Sequence, residues 1–397
     1  MRNTRPRWVM PGKVGRFSLA DSPRRFALII FMLSMVNISK ADTTTVINKI
    51  EEIAQQVSRQ YCPDKRTTVW TVEIKFQDNV CYINGDTDQR QAIQSFNEKL
   101  LEALPAEKVQ NRMKLLPDDT MDGNDFGIII NSVESLRSGP SVFKDMVTQT
   151  LRGLAVEILK NEEGCYLVKT DDGYLGWIED DRMLIGGDSL KTAWQKTPKV
   201  VYDETEGTIY SKASLKSQPV ADIVLGNRLK LLGKRGSWTE VELVDGRRGF
   251  VPSSQLIAES EYTMRIPDAD KVIATAMSLL GRPYLWGGAS VKACDCSGFT
   301  QTIYRRHGVL LARDANMQVK QGTAVDTTNL PEKFKTGDLL FFGADAHRIT
   351  HVAIYLGNSE YIHCSAFVRI NSLSPTAHNY DAFLRERLHA VRRIISD

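Results

Sequence analysis

Residues 284–299 read YLWGGASVKACDCSGF. Two cysteines one residue apart beside a carboxylate, Cys294-Asp295-Cys296, fit three chemistries: a redox pair, half of a metal site, or a catalytic thiol. The following run, SGFTQTIYRRHG, places Phe299, Ile303 and Tyr304 on one helical face and stops at Gly308, so Cys296 sits at or just before a helix N-terminus. Unpaired N–H groups and the macrodipole there favour the thiolate, the nucleophilic form of cysteine. Cys294 lies outside the helix and gains no such help. Cys296 is therefore the candidate nucleophile.

A thiol nucleophile needs a base. Downstream, GDLLFFG reads as a buried strand, ITHVAIYLG alternates so that His351, Ala353 and Tyr355 share a face, and EYIHCSA puts Tyr361 and His363 on one face. Two adjacent strands thus present two imidazoles toward one helix N-terminus, His351 as base and His363 as the group that orients it. Thiol-bearing helix, then base strand, then polar strand is the order of papain-like enzymes. His307 ends the helix, where a cation suits the dipole, and His347, His378 and His389 read as surface residues. The competing arrangement is zinc on Cys294, Cys296, His351 and His363. C-x-C chelates poorly compared with C-x-x-C and the imidazoles come from separate strands, so neither metal nor cofactor is expected.

The rest of the 397-residue chain implies several domains. Residues 1–41 hold eight Lys or Arg against Asp21, and the run FALIIFMLSMV is short for a bilayer span and suited to a secretory leader with Ser39 and Ala41 near its cleavage point. The expected location is therefore periplasmic, or else secreted or on the cell surface, with no stable membrane anchor after cleavage. The overall charge of +3 belongs to that leader, the remainder being net acidic, so nucleic acid is not an expected partner. Six cysteines are too few for a stapled scaffold, although Cys62 and Cys81 flank a strand region and are candidates to pair. Residues 43–60 carry apolar positions at helical spacing, and strand, strand, helix and strand follow, giving a small α+β module. Beyond residue 127 an internal repeat appears at an offset of 73: Asp172-Gly173 and Gly176-Trp177-Ile178 match Asp245-Gly246 and Gly249-Phe250-Val251. Asp-Gly supplies the positive φ of a hairpin turn and the next strand buries an aromatic, which implies two small β-barrels.

The two copies resemble bacterial SH3-like domains. Y-x-W-G-G, D-C-S-G-F, the stretch ARDANMQ, K-T-G-D-L-L-F-F and H-V-A-I-Y-L-G, in that order, resemble the NlpC-type family of papain-like cell-wall cysteine peptidases. Beyond the leader 1–41 and the α+β module 42–124, the resemblance implies SH3-like barrels 125–190 and 198–258 and a papain-like domain 262–397, an α+β protein throughout. It implies Cys296, His351 and His363 as the catalytic set, Tyr284 at the oxyanion or the site wall, and Trp286 flanking the groove.

Q-x-L-x-G followed by D-G-Y-x-G-W is similar to the branch that hydrolyses the γ-D-glutamyl bond to a diamino acid in peptidoglycan stem peptides with a free N-terminal L-Ala. That likeness implies an amine pocket of Asp295, Ser297, Tyr174 and an acid at Asp145, where the branch usually has Glu; Ala315 replaces a common Ser. Two other functions compete: a non-catalytic peptidoglycan-binding protein, and a thiol hydrolase of intact crosslinked wall.

Overall fold

The computed structural model describes residues 40–78, 80–328 and 330–395. The leader's charged and apolar segments, residues 1–39, lie outside the described residues, as does Asn79 in the turn expected between the first two strands. No described helix is long and apolar enough to cross a membrane.

The N-terminal module has the expected order. Helix Lys40–Tyr61 and helix Arg90–Ala103 pack on a sheet of Glu73–Gln77, Val80–Thr87 and Val109–Leu115. The first two strands are antiparallel, and the last two are parallel because the second helix carries the chain back between them. Ile50, Val57, Cys81, Ile83 and Phe96 close its core. Cys62 and Cys81 are both buried free thiols, so the candidate disulfide is not formed.

Each repeat folds as a seven-stranded antiparallel sheet, one between Phe126 and Gly186 and one between Lys199 and Ala258. Neither is a closed barrel, which corrects the expected barrels: the end strands of each order do not pair with one another. In the first sheet the end strand Met146–Leu151 instead meets the C-terminal domain, where Gln149 Oε1 accepts from the Ala289 N–H at 3.0 Å and Thr148 Oγ1 accepts from Arg313 Nε at 2.9 Å. In the second, the end strand Pro219–Val224 begins with a residue that has no N–H to offer.

The C-terminal domain sets helix Cys296–Arg306 against a six-stranded antiparallel sheet. The order runs Thr323–Ala324, Leu388–Arg393, Leu339–Gly343, Ile349–Gly357, Glu360–Ser365 and Phe367–Ser372. Phe299, Ile303 and Tyr304 pack on Phe341, Val352, Ile354 and Ile362, the apolar face read from sequence. The helix is buried on its polar side as well, because the first repeat's Asp-Gly turn covers it. Gln301 Nε2 donates to Asp172 Oδ2 at 2.7 Å, and Arg305 pairs with Asp171.

Candidate active site

Cys296 is the first residue of its helix, and Asp295 caps it, accepting from the Gly298 N–H at 2.7 Å. Such a cap is worth about 1 kcal/mol. Gly298 is required there, since a Cβ would lie 1.9 Å from the Gly288 carbonyl oxygen. No intramolecular acceptor is found for the Cys296 N–H among the described residues, which leaves it aimed out of the helix start.

The thiol meets the base strand at its beginning. Sγ lies 4.0 Å from the Thr350 carbonyl, and the Val352 and Ser297 N–H groups point at it. Among the described residues no hydrogen bond joins Sγ to His351. The imidazoles, expected to point toward the helix N-terminus, are not on the sheet face that packs against the helix. They lie on the opposite sheet face beside Phe342 and Tyr361, while Val352 and Ile354 take the helix face. The sulfur therefore meets the backbone at the start of the strand that carries His351.

The imidazoles form a relay. His351 Nε2 meets His363 Nδ1 at 2.7 Å, His363 Nε2 meets Asn371 Oδ1 at 3.0 Å, and Asn371 Nδ2 donates to the Asn379 carbonyl at 3.0 Å. A reversed Asn371 amide would set two acceptors against each other, so Oδ1 faces His363 and that ring carries its proton on Nε2. His363 Nδ1 is then an acceptor, His351 Nε2 a donor, and His351 Nδ1 bears the open lone pair. Asn371 had no sequence signal beyond being polar on a strand.

Burial pushes the Cys296 thiol up to about 12, with the Asp295 charge adding; the Val352 and Ser297 N–H groups only partly offset this. Burial also pushes His351 down to about 3 and His363 to about 4. Burial thus favours the neutral forms of both groups and opposes the thiolate that the helix N-terminus favours. His307, expected as a cation at the helix end, is buried with Nε2 2.9 Å from Thr275 Oγ1; burial and the adjacent Arg306 depress it to about 4.

These three rings predict an acid sensitivity. Their folded values lie below the ordinary 6.5, so they contribute stability above that pH and lose it as pH falls toward 4. The melting temperature should decline between pH 6.5 and 4, and a flat profile there would contradict neutral burial.

Asp295 and Ser297 line the cleft, but the Asp295 carboxylate is already engaged by protein donors. Arg313, 1% exposed, grips it through Nη1–Oδ1 at 3.0 Å and Nη2–Oδ2 at 2.6 Å, and the Ser297 hydroxyl and the Gly287 and Gly298 N–H groups also donate to it. Ser297 Oγ is consumed by Asp295 and Arg313. Asp145 is exposed and does not line the cleft beside Cys296. Tyr174 does line it, with its hydroxyl donating to Asp314 Oδ2 at 3.0 Å. Tyr284 lines the cleft too, and Trp286, 72% exposed, stands at its mouth. Asp314, one residue beyond Arg313, was missed although it lies in the quoted stretch ARDANMQ. Arg66, from the N-terminal module, was missed because nothing in its neighbourhood looks chemical.

Cys294 is buried, and Cys364 Sγ donates to its carbonyl at 3.1 Å. Among the described residues no three His, Cys, Asp or Glu side chains cluster as a metal site, so the zinc arrangement is not assembled. His347 and His378 are exposed, and His389 is half-buried.

Comparison with known proteins fits this geometry. The NlpC/P60 family matches residues 281–393, and the bacterial dipeptidyl-peptidase Sh3 domain matches residues 136–182. A murein DD-endopeptidase MepS/murein LD-carboxypeptidase of Escherichia coli (strain K12) is 34% identical over 37% of this chain and 76% of that protein. The chain belongs to the NlpC/P60 family. Among other NlpC/P60 relatives, a gamma-D-glutamyl-L-lysine dipeptidyl-peptidase of Bacillus cereus is 31% identical over 56% of this chain and 66% of that protein. The crystal structure of an NlpC/P60 family protein from Bacillus cereus superposes with a TM-score of 0.59 at 25% identity, covering 68% of this chain and 100% of that one.

Proposed function

We propose that this cell-wall cysteine peptidase hydrolyses the γ-D-glutamyl bond to a diamino acid in stem peptides whose L-Ala amine is free. One observation carries the reading. The cleft that holds Cys296 also holds Asp314, whose carboxylate accepts two hydrogen bonds, both on Oδ2, from Tyr174 and Arg66, so that Oδ1 has no protein partner among the described residues. An ammonium needs such a carboxylate, and Asp314 takes the place first given to Asp295. The match to a dipeptidyl-peptidase Sh3 domain and the likeness to a gamma-D-glutamyl-L-lysine dipeptidyl-peptidase support the same substrate class.

In the proposed cycle His351 Nδ1 takes the Cys296 proton as Sγ attacks the γ-carbonyl of D-Glu. The oxyanion meets the free Cys296 N–H and the Tyr284 hydroxyl. His351 then protonates the departing amine of the diamino acid, leaving a thioester. Water, deprotonated by His351, cleaves that thioester and returns the thiol. His363 and Asn371 hold His351 in the tautomer this requires, and Trp286 flanks the incoming chain. Export to the periplasm is part of the proposal, on the composition of residues 1–41.

Paired peptides test the reading. A free-amine L-Ala-γ-D-Glu-diamino acid peptide should be cleaved, and a muramyl cap on the amine should lower kcat/KM by about 100-fold or more, because it leaves the Asp314 carboxylate without its cation. Equal turnover of both would reject amine recognition, and faster turnover of intact crosslinked wall would favour the polymer as substrate.

A further inference from the structure

The N-terminal module reaches into the active-site cleft through one side chain. Arg66 Nη1 donates to Asp314 Oδ2 at 2.6 Å and to Asn316 Oδ1 at 3.0 Å, while Nε and Nη2 grip Asp64 at 2.9 and 2.5 Å. Four of the five guanidinium donors are thus committed. The loop that carries it is fixed on both sides: the Arg66 carbonyl accepts from the Leu175 N–H at 2.7 Å, next to Tyr174, and the Asp64 carbonyl accepts from the Thr67 and Thr68 N–H groups. Farther along, Lys160 pairs with Asp86 and Lys169 with Asp88, tying the module to the first repeat. Arg66 therefore joins three parts of the chain at the end of the cleft.

We propose that Arg66 is a positioning residue for the substrate amine. It holds Asp314 by Oδ2, leaving Oδ1 for the ammonium, and it separates Asp314 from the second carboxylate, Asp64. The row Asp64, Arg66, Asp314 carries one net negative charge, which a single ammonium neutralises; without the guanidinium two carboxylates face each other unbridged. The proposal rests on the amine reading above and gives the N-terminal module a part in it.

Steady-state kinetics on the full chain test it. With the free-amine peptide, Arg66→Met should raise KM about tenfold while kcat stays within about threefold, since the lost interaction serves binding and not the chemical step. Arg66→Lys, which keeps a cation between the acids, should recover most of that loss. Asp64→Asn/Arg66→Met, which removes the second carboxylate, should fall between the two. An unchanged KM or a loss confined to kcat overturns the proposal. A lowered KM also overturns it, and would make Arg66 a competitor for Asp314. Melting curves check folding; should Arg66→Met not fold, Asp64→Asn alone carries the test, with a KM raised a few-fold (about 2–5) at constant kcat. If wild-type enzyme ignores the muramyl cap, the amine reading fails and the role of Arg66 with it. Intact cap discrimination with an unmoved KM in Arg66→Met overturns Arg66 alone.

Discussion

Cys296→Ala should lower kcat/KM by about 10⁴-fold or more while leaving the protein folded, because the nucleophile is lost and the base then has no proton to take. The side chain is 8% exposed and deletes only one sulfur from the cleft wall, so stability should fall by no more than about 1 kcal/mol. Iodoacetamide should inactivate the wild type in parallel, and mass spectrometry should place the adduct on Cys296. The other five thiols, also free, give Cys→Ala controls that should keep activity. Undiminished turnover by Cys296→Ala rejects the assignment, and with it the cycle through His351.

The second large effect is on stability. Arg313→Met should cost about 3–5 kcal/mol, because it strands the Asp295 carboxylate, which is buried and held by both terminal guanidinium nitrogens, Nη1 and Nη2. Denaturant melts measure the loss. Asp295→Asn/Arg313→Met should recover part of it, since no uncompensated charge then remains. A loss below about 1 kcal/mol for Arg313→Met would mean that the pair is solvated, and would reopen Asp295 as an amine ligand.

Local signals carried much of the fold. The helix at Cys296, the alternation around His351 and the Asp-Gly turns are each specified within about ten residues, where periodicity and turn chemistry act. The closed barrels were misjudged because closure depends on what an end strand meets, and Met146–Leu151 meets the cysteine domain. Where motif and spacing coincide, two placements were legible: Cys296 at the start of its helix and His351 beside His363. The site was illegible where partners lie far apart in sequence. Sequence alone showed neither that Arg313 pairs with Asp295 nor that Asp314 meets Tyr174 and Arg66. Charge state was equally nonlocal. A helix N-terminus argues for a thiolate, whereas burial and the Asp295 charge push the thiol the other way.

Gly287 has φ +76°, and a Cβ there would sit 2.8 Å from the Met146 carbonyl oxygen. One wall of the gorge is therefore set by main chain resting on main chain, a spacing that trimming side chains cannot widen. Admitting a bulkier glycan-linked strand would require lifting the first repeat as a body, which also pulls Gln149 from Ala289 and Thr148 from Arg313. Redesign toward polymeric wall should begin at that seam, not at the reacting residues.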